Sequence, residues 1–370
     1  MPNTFGHIFR ITTFGESHGG AVGVTIDGCP SGYKLDLERI QNWLDRRRPG
    51  QSKIASPRKE LDQVEILSGQ EDGITLGTPL TLIVRNKDAK QGHYDDINKV
   101  FRPSHADFTT QQKFGMRSKS GGGRASARET IGRVAAAAVA EQILEVLIPG
   151  FSCVAYVDSV KDIKSQITLE QLATLEKADV EKHILRCPAS PNRDAMEKII
   201  LDAQKAGDTV GGTIKCAINN VPAGLGDPVF DKIEADLAKA IMSLPACKGF
   251  EIGSGFSSTS MFGSEHNDEF IKKGSKIATK TNRSGGVQGG ITNGQMIYFN
   301  CAFKPVSTIF KEQATVTTGG EEIRMKPKAG RHDPCVLPRA VPMVEAMSIL
   351  VVADHYFRQL VFDHGRMPSH

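Results

Sequence analysis

Apolar residues alternate with polar ones in eight short stretches of this chain and recur at three- and four-residue intervals in five longer ones. The alternation predicts strands near 7–13, 22–27, 63–68, 79–85, 151–157, 211–219, 249–253 and 295–303. The helical spacing predicts helices near 36–47, 126–147, 191–206, 229–243 and 338–361. Short turns join most of the strands, which suits antiparallel sheets with packed helices better than a doubly wound parallel sheet. The expected class is α+β. The clearest helix signal lies in SGGGRASARETIGRVAAAAVAEQILEVLIPG. There Ser126 and Glu129 have capping-box spacing, Pro149 and Gly150 close the end, and the run Ala135 to Ala138 predicts close helix packing. Two stretches, Arg85 to Arg124 and Lys304 to Pro338, show little regular pattern. Loops of that length in a compact domain are usually functional.

The pattern also repeats. VTIDGCPSGYKLDL (24–37) and CAINNVPAGLGDPVF (216–230) share an apolar alternation, a Pro-x-Gly and an acidic helix start, and DGITLGTPLTLIV (72–84) matches GGITNGQMIYFNCAF (289–303). Pro30 and Pro222 are 192 residues apart, whereas Gly73 and Gly290 are 217 apart, so the second copy carries about 25 extra residues, including SEHNDEF and TNRSGG. A single domain over 1–370 is expected, with repeat halves at about 5–150 and 208–360 and a ligand site at their junction.

Composition narrows the classes. A chain of 370 residues, 39% hydrophobic and 24% charged, can bury a large core without disulfides or structural metal. Its seven cysteines (Cys29, Cys153, Cys187, Cys216, Cys247, Cys301, Cys335) are dispersed and never form Cys-x-x-Cys, so they read as reduced core thiols, and no metal site is expected. No window looks like an uninterrupted membrane span and the start lacks a signal-peptide pattern, which together predict a cytoplasmic protein. The formal charge of +4 is small, but arginines cluster at Arg46 to Arg48 and again from Arg117 to Arg133. For the first cluster a solvated helix end and an anion site both remain open.

Candidate chemistry lies in the loops. Gly121, Gly122 and Gly123 precede the clearest helix, where free amides would form either an anion cradle or a hinge, with Arg124 and Arg128 beside them. No P-loop ending and no G-x-G-x-x-G is present. His18 in FGESHGG and His105 in FRPSHAD are candidates for proton transfer, and RHDPC (331–335) gathers an arginine, a histidine and an aspartate. Two rivals fare worse. A nucleotide-dependent phosphotransferase would need a Walker sequence or an acidic Mg²⁺ cluster, and an RNA-binding module would need aromatic platforms, yet the chain has five tyrosines and one tryptophan.

Taken in order, FGESHGG, DRRRPGQS, FRPSHADFT, SGGGRASARET, KPVSTI and GRHDPC resemble the chorismate synthase family over about Phe5 to His355. The resemblance implies a β-α-β sandwich with two pseudo-symmetric halves, assembled as a homotetramer. It implies a lyase that makes chorismate from 5-enolpyruvylshikimate 3-phosphate by anti-1,4-elimination, with reduced FMN as cofactor, a separate flavin reductase as partner and NADPH as the indirect reductant. Nucleic acid and membrane are not expected partners. By matching motif, His18 would protonate the departing phosphate, His105 would maintain the protonation state of the flavin, and Asp333 would accept the C6 hydrogen directly or through the flavin. Arg47, Arg102 and Arg128 would bind substrate anions. Arg124, Ala125, Ser126, Pro245, Ala246, Gly289, Lys304, Pro305, Val306, Ser307, Thr308 and Arg331 would contact FMN. The chain departs from the family's commonest pattern at Ser104 (usually Gly), Ala125 (often Ser), Pro245 (often polar) and Lys53 (often Arg, at a position associated with nicotinamide-nucleotide contact).

Overall fold

Val22, Val24 and Ile26 turn one face of strand Ala21–Asp27 toward the interior and are almost fully buried. Around it, in the computed structural model, which describes residues 3–55, 61–86, 99–118, 122–327 and 332–365, an antiparallel sheet forms in the order Thr4–Phe5, Arg10–Gly15, Ala21–Asp27, Leu80–Arg85, Val64–Ser68. A second antiparallel sheet runs Ile163–Lys164, Ser152–Val160, Gly212–Asn219, Ile297–Phe303, Cys247–Ile252. The four longer strands follow the same order in both sheets, while the short edge strand precedes its neighbour in the first and follows it in the second. The longest helices form a layer between the two sheets, and shorter helices at Leu169–Ala173, Lys177–Glu181 and Arg193–Lys205 also contact the second sheet. Helix Thr130–Leu147 packs on the first sheet, helix Leu337–Gly365 on the second, and the two pack against each other. Helices Leu37–Arg47 and Ile233–Met242 flank them. The architecture is the expected α+β, β-α-β sandwich.

The repeat extends to individual hydrogen bonds. In the first half the Thr75 hydroxyl donates to the Pro30 carbonyl (2.7 Å) and accepts from the Tyr33 amide (3.0 Å), while Gly32 N donates to Thr75 O and Thr75 N to Tyr33 O. In the second half Thr292 does the same with Pro222 (2.7 Å) and Leu225 (2.9 Å), with Gly224 and Leu225 supplying the backbone partners. These are the Pro-x-Gly and Gly-Ile-Thr landmarks of the sequence. The 25 additional residues form an excursion after Cys247–Ile252 that includes the hairpin Phe270–Lys273 with Lys276–Thr279. Strand Ser152–Val160, well ahead of residue 208, already belongs to the second sheet.

Gly132 and Gly23 let the central helix rest directly on the sheet: a Cβ on Gly132 would lie 2.7 Å from Gly23 O, and one on Gly23 would lie 2.5 Å from Leu82 O. The last helix is long and apolar enough to cross a membrane by length and composition, with a mean hydropathy of 1.3, but 89% of that window is buried inside the protein. It is the core helix of the sandwich. All seven cysteines are buried and unpaired, and burial pushes the thiols of Cys29, Cys187 and Cys335 up to about 12, which keeps them protonated.

Two sequence expectations need correction. The Ser126–Glu129 capping box does not form: Ser126 accepts from the Arg128 amide, short 3₁₀ turns occupy Gly123–Ala125 and Ala127–Glu129, and the regular helix starts at Thr130. Glu129 instead turns inward, accepting from Thr13 Oγ1 (2.7 Å) and pairing with Arg133 (2.9 Å). The long irregular segments also contain structure, namely helix Asp107–Phe114 and the hairpin Gln313–Val316 with Glu322–Met325, and a bridge between Val100 and Thr317 joins the two segments.

Candidate active site

Helix Leu37–Arg47 buries Ile40, Trp43 and Leu44 on one stripe, and Arg47, seven residues after Ile40, falls on the same stripe. A charge carried inside by an apolar face must be paired. Its partner is Asp62, whose side chain is wholly buried: Arg47 Nη2 lies 2.5 Å from Oδ2, and Arg128 Nη1 lies 2.8 Å from Oδ1. Burial would raise the Asp62 carboxyl, but Arg47 and Arg128 outweigh it and hold the group below its usual range. Burial pulls Arg47 down to about 10; Asp62 opposes the shift, and the nearby charges of Arg339 and Arg128 add to it. Three guanidiniums thus lie within Coulomb range of one another. Arg47 Nη1 donates to Ala127 O (3.2 Å), while its buried Nε has no hydrogen-bond partner. Such a cluster is suited to an anion with several negative groups.

The His18 loop is tied to this cluster by Asn86. Its amide Nδ2 donates to the Glu16 and Gly19 carbonyls (3.0 and 2.8 Å), and its Oδ1 accepts from Arg128 Nε (2.6 Å). His18 Nδ1 shares a hydrogen bond with Ser17 Oγ at 2.9 Å. On the other side Arg339, in the first turn of the last helix, donates from Nε to the Arg47 carbonyl (3.1 Å) and pairs through Nη1 with Asp333 Oδ2 (2.5 Å). His18, Arg128, Arg47 and Asp333 therefore belong to one connected network. Asp62, Asn86 and Arg339, which join them, do not stand out in the sequence.

A second cluster forms around Asp107. Arg102 grips its carboxylate through Nε and Nη2 (2.7 and 2.8 Å), and His105 Nδ1 lies 2.8 Å from Oδ1. Arg102 Nη2 also approaches His105 Nδ1 at 3.1 Å. The carboxylate selects the tautomer, since Nδ1–H donating to Asp107 satisfies both partners of the acid. Arg102 is thus held by Asp107. Beside this cluster, Ser104 adopts a left-handed backbone (φ 57°), which is why glycine suits the position, and its carbonyl accepts from Lys304 Nζ (3.0 Å) and Ser307 Oγ (2.8 Å). The Ala246 carbonyl accepts from Lys304 N (3.0 Å), and Arg133 reaches Ser243 Oγ (2.7 Å). Segments 102–105, 243–246 and 304–308 therefore meet, near the start of the central helix.

Five of the expected flavin contacts, Arg124, Ala125, Ser126, Gly289 and Arg331, lie away from the Lys304 cluster or outside the described residues. Arg124 folds back onto Thr13 O, Thr13 Oγ1 and Gly15 O (3.1, 2.8 and 3.2 Å), and the amides of Ala125 and Ser126 bond to Gly122 and Gly123 carbonyls. The amides of Ala125 and Ser126 are thus spent on local turns. Gly289 lies in the turn joining strands Val287–Gln288 and Ile291–Thr292, and the next strand, Ile297–Phe303, spans roughly 20 Å before Lys304. Arg331 and Gly121 lie outside the described residues. Arg46 is not a solvated helix end: its guanidinium is paired with Glu181 and Glu345 (both 2.7 Å) and covers the Trp43 ring. Among the described residues no group of three or more His, Cys, Asp or Glu side chains could hold a metal ion.

A family model described as chorismate synthase matches residues 9–357. The chain belongs to the chorismate synthase family. The chorismate synthase of Methylacidiphilum infernorum is 58% identical over 359 residues, covering 97% of each chain, and that of Prochlorococcus marinus (strain AS9601) is 58% identical over 368 residues, covering 99% and 98%. A crystal structure of chorismate synthase superposes with a TM-score of 0.76 at 29% identity, covering 96% of this chain and 93% of the other. As a member of this family the chain is a lyase of the shikimate pathway to the aromatic amino acids.

Proposed function

We propose that the Arg47–Asp62–Arg128 network binds 5-enolpyruvylshikimate 3-phosphate and that the chain eliminates phosphate from it in an anti-1,4 sense to give chorismate. The observation that carries this is the excess of guanidinium over carboxylate in a buried network, which a substrate with two carboxylates and a phosphate would neutralise. In the balanced step the C6–H bond breaks and its electron pair becomes a new ring double bond. The existing double bond shifts by one carbon, and phosphate leaves with the pair of its C–O bond. His18 donates a proton to the departing phosphate and Asp333 accepts the C6 proton, so no net oxidation occurs.

The residues around Lys304 suit reduced FMN: a lysine ammonium and a serine hydroxyl converge beside His105, with Pro245 and Ala246 adjoining. Reduced FMN, when bound, supplies electron density to the allylic centre as phosphate departs and recovers it as hydrogen leaves. Pro305, Val306 and Thr308 would line the same edge, and His105, its Nδ1–H held by Asp107, would present Nε2 toward it to accept and return a proton. Gly289 would complete such a site in the homotetramer that the chain is expected to form. A separate reductase, drawing on NADPH, would supply the reduced flavin.

Anaerobic incubation with dithionite-reduced FMN and the enolpyruvyl phosphate should release chorismate and phosphate in equal amounts; no product would refute the proposal. His18→Ala and Asp333→Asn should each keep FMN affinity and lose at least about tenfold in turnover. Unchanged turnover in either variant would remove that residue from its role.

A further inference from the structure

We propose that Arg339 is a positioning residue that fixes the carboxylate of Asp333 against the substrate-binding Arg47, an inference that rests on the elimination reading above. The geometry is specific. Arg339 spends Nη1 on Asp333 Oδ2 at 2.5 Å and Nε on the Arg47 carbonyl at 3.1 Å, so one planar group spans the loop that carries the base and the end of the helix that carries the substrate arginine. Both side chains of the pair are about nine-tenths buried. A guanidinium is the group suited to hold two acceptors in one plane, because its donors leave it in a rigid fork.

The placement is electrostatically costly on every other ground. Arg339 lies in the first turn of helix Leu337–Gly365, where the helix dipole disfavours a cation, and close enough to Arg47 for its charge to act on that group. A residue that merely filled this corner would be better neutral. Asp333 is the carboxylate it contacts, and orienting that carboxylate is what a cation achieves there and an apolar residue does not.

Turnover with reduced FMN and the enolpyruvyl phosphate should be measured for the unaltered chain, Arg339→Gln, Arg339→Lys, Asp333→Asn and the double variant Arg339→Gln with Asp333→Asn. Arg339→Gln should lower kcat about tenfold or more while KM stays within about twofold, because the substrate's own ligands are retained. Arg339→Lys should recover part of the loss, keeping the charge but not both contacts. In the Asp333→Asn background the Arg339 change should cost less than about twofold, since the carboxylate it positions is gone. Unchanged kcat, a rise in KM alone, or a full additional loss in the double variant would each overturn the proposal. If Arg339→Gln fails to fold by circular dichroism, kcat of Arg339→Lys decides, and wild-type kcat there overturns it. Absence of chorismate from the unaltered chain would instead be failure of the elimination reading.

Discussion

Asp107 illustrates how a single carboxylate can organise a site. It holds Arg102, orients His105 and lies 3.6 Å from Arg117, so Asp107→Asn would leave three cationic or donor groups facing one another. The loss should be about 2–4 kcal/mol by urea unfolding, as for a partly buried charge network broken at its centre. Burial would raise the Asp107 carboxyl, but hydrogen bonds from Arg102 and His105, with their charges, hold it well below the usual carboxylate range. The folded state therefore binds this proton more weakly than the unfolded chain. Its stabilising contribution is complete above the unfolded value of about 4 and is lost as pH falls toward the folded one. Asp62 acts in the same direction. Unfolding measured from about pH 6 to about pH 2 should show a shallower acid slope in Asp107→Asn than in the wild type; equal slopes would contradict the account. At this scale the sequence revealed residues of distinctive type within motifs, such as His18, Arg47 and Asp333. Asp62, Asn86, Asp107 and Arg339 acquire meaning only from neighbours up to 292 positions away in the chain.

Among the elements, the contact between helix Thr130–Leu147 and strand Ala21–Asp27 controls how closely the site is drawn together, since Arg128 precedes that helix and His18 precedes that strand. Gly132→Ala should gain up to about 1 kcal/mol of helix propensity. The added Cβ would meet the Gly23 carbonyl at 2.7 Å, and Gly23 is itself pressed against Leu82, so the strand cannot retreat. Overpacking of this kind costs roughly 1–3 kcal/mol, and a net destabilisation should appear as a lower urea midpoint; an unchanged midpoint would show that the helix can lift. The eight strands and five helices expected from periodicity are present, with ends displaced by a few residues, because each has a buried face that leaves a stripe or an alternation. Helix Asp107–Phe114 buries only Asp107, and Gln313–Val316 and Glu322–Met325 bury no residue fully, so no apolar pattern marks them. The glycine segment before the central helix reads in the sequence as an anion cradle or a hinge; the 3₁₀ turns at Gly123–Ala125 and Ala127–Glu129 depend on geometry that spacing does not encode.

For the molecule as a whole, two sheets that match in the order of their four longer strands enclose the long helices, and neither long-helix pair is covered without the other half. The threonine braces at Thr75 and Thr292 make the same hydrogen bonds within surroundings of different sequence. The chain crosses from one sheet to the other only once in this part, between Leu147 and Ser152, where Pro149 and Gly150 form an exposed turn. That turn is the seam between the two halves. Two polypeptides divided at Pro149–Gly150 would each carry a complete sheet and its helices, and should purify together when co-expressed and regain chorismate formation. Fragments that remain apart would show that the joint is needed for more than tethering. In that sense the seam marks a place where one enzyme can be made to behave as a heterodimer of its own halves.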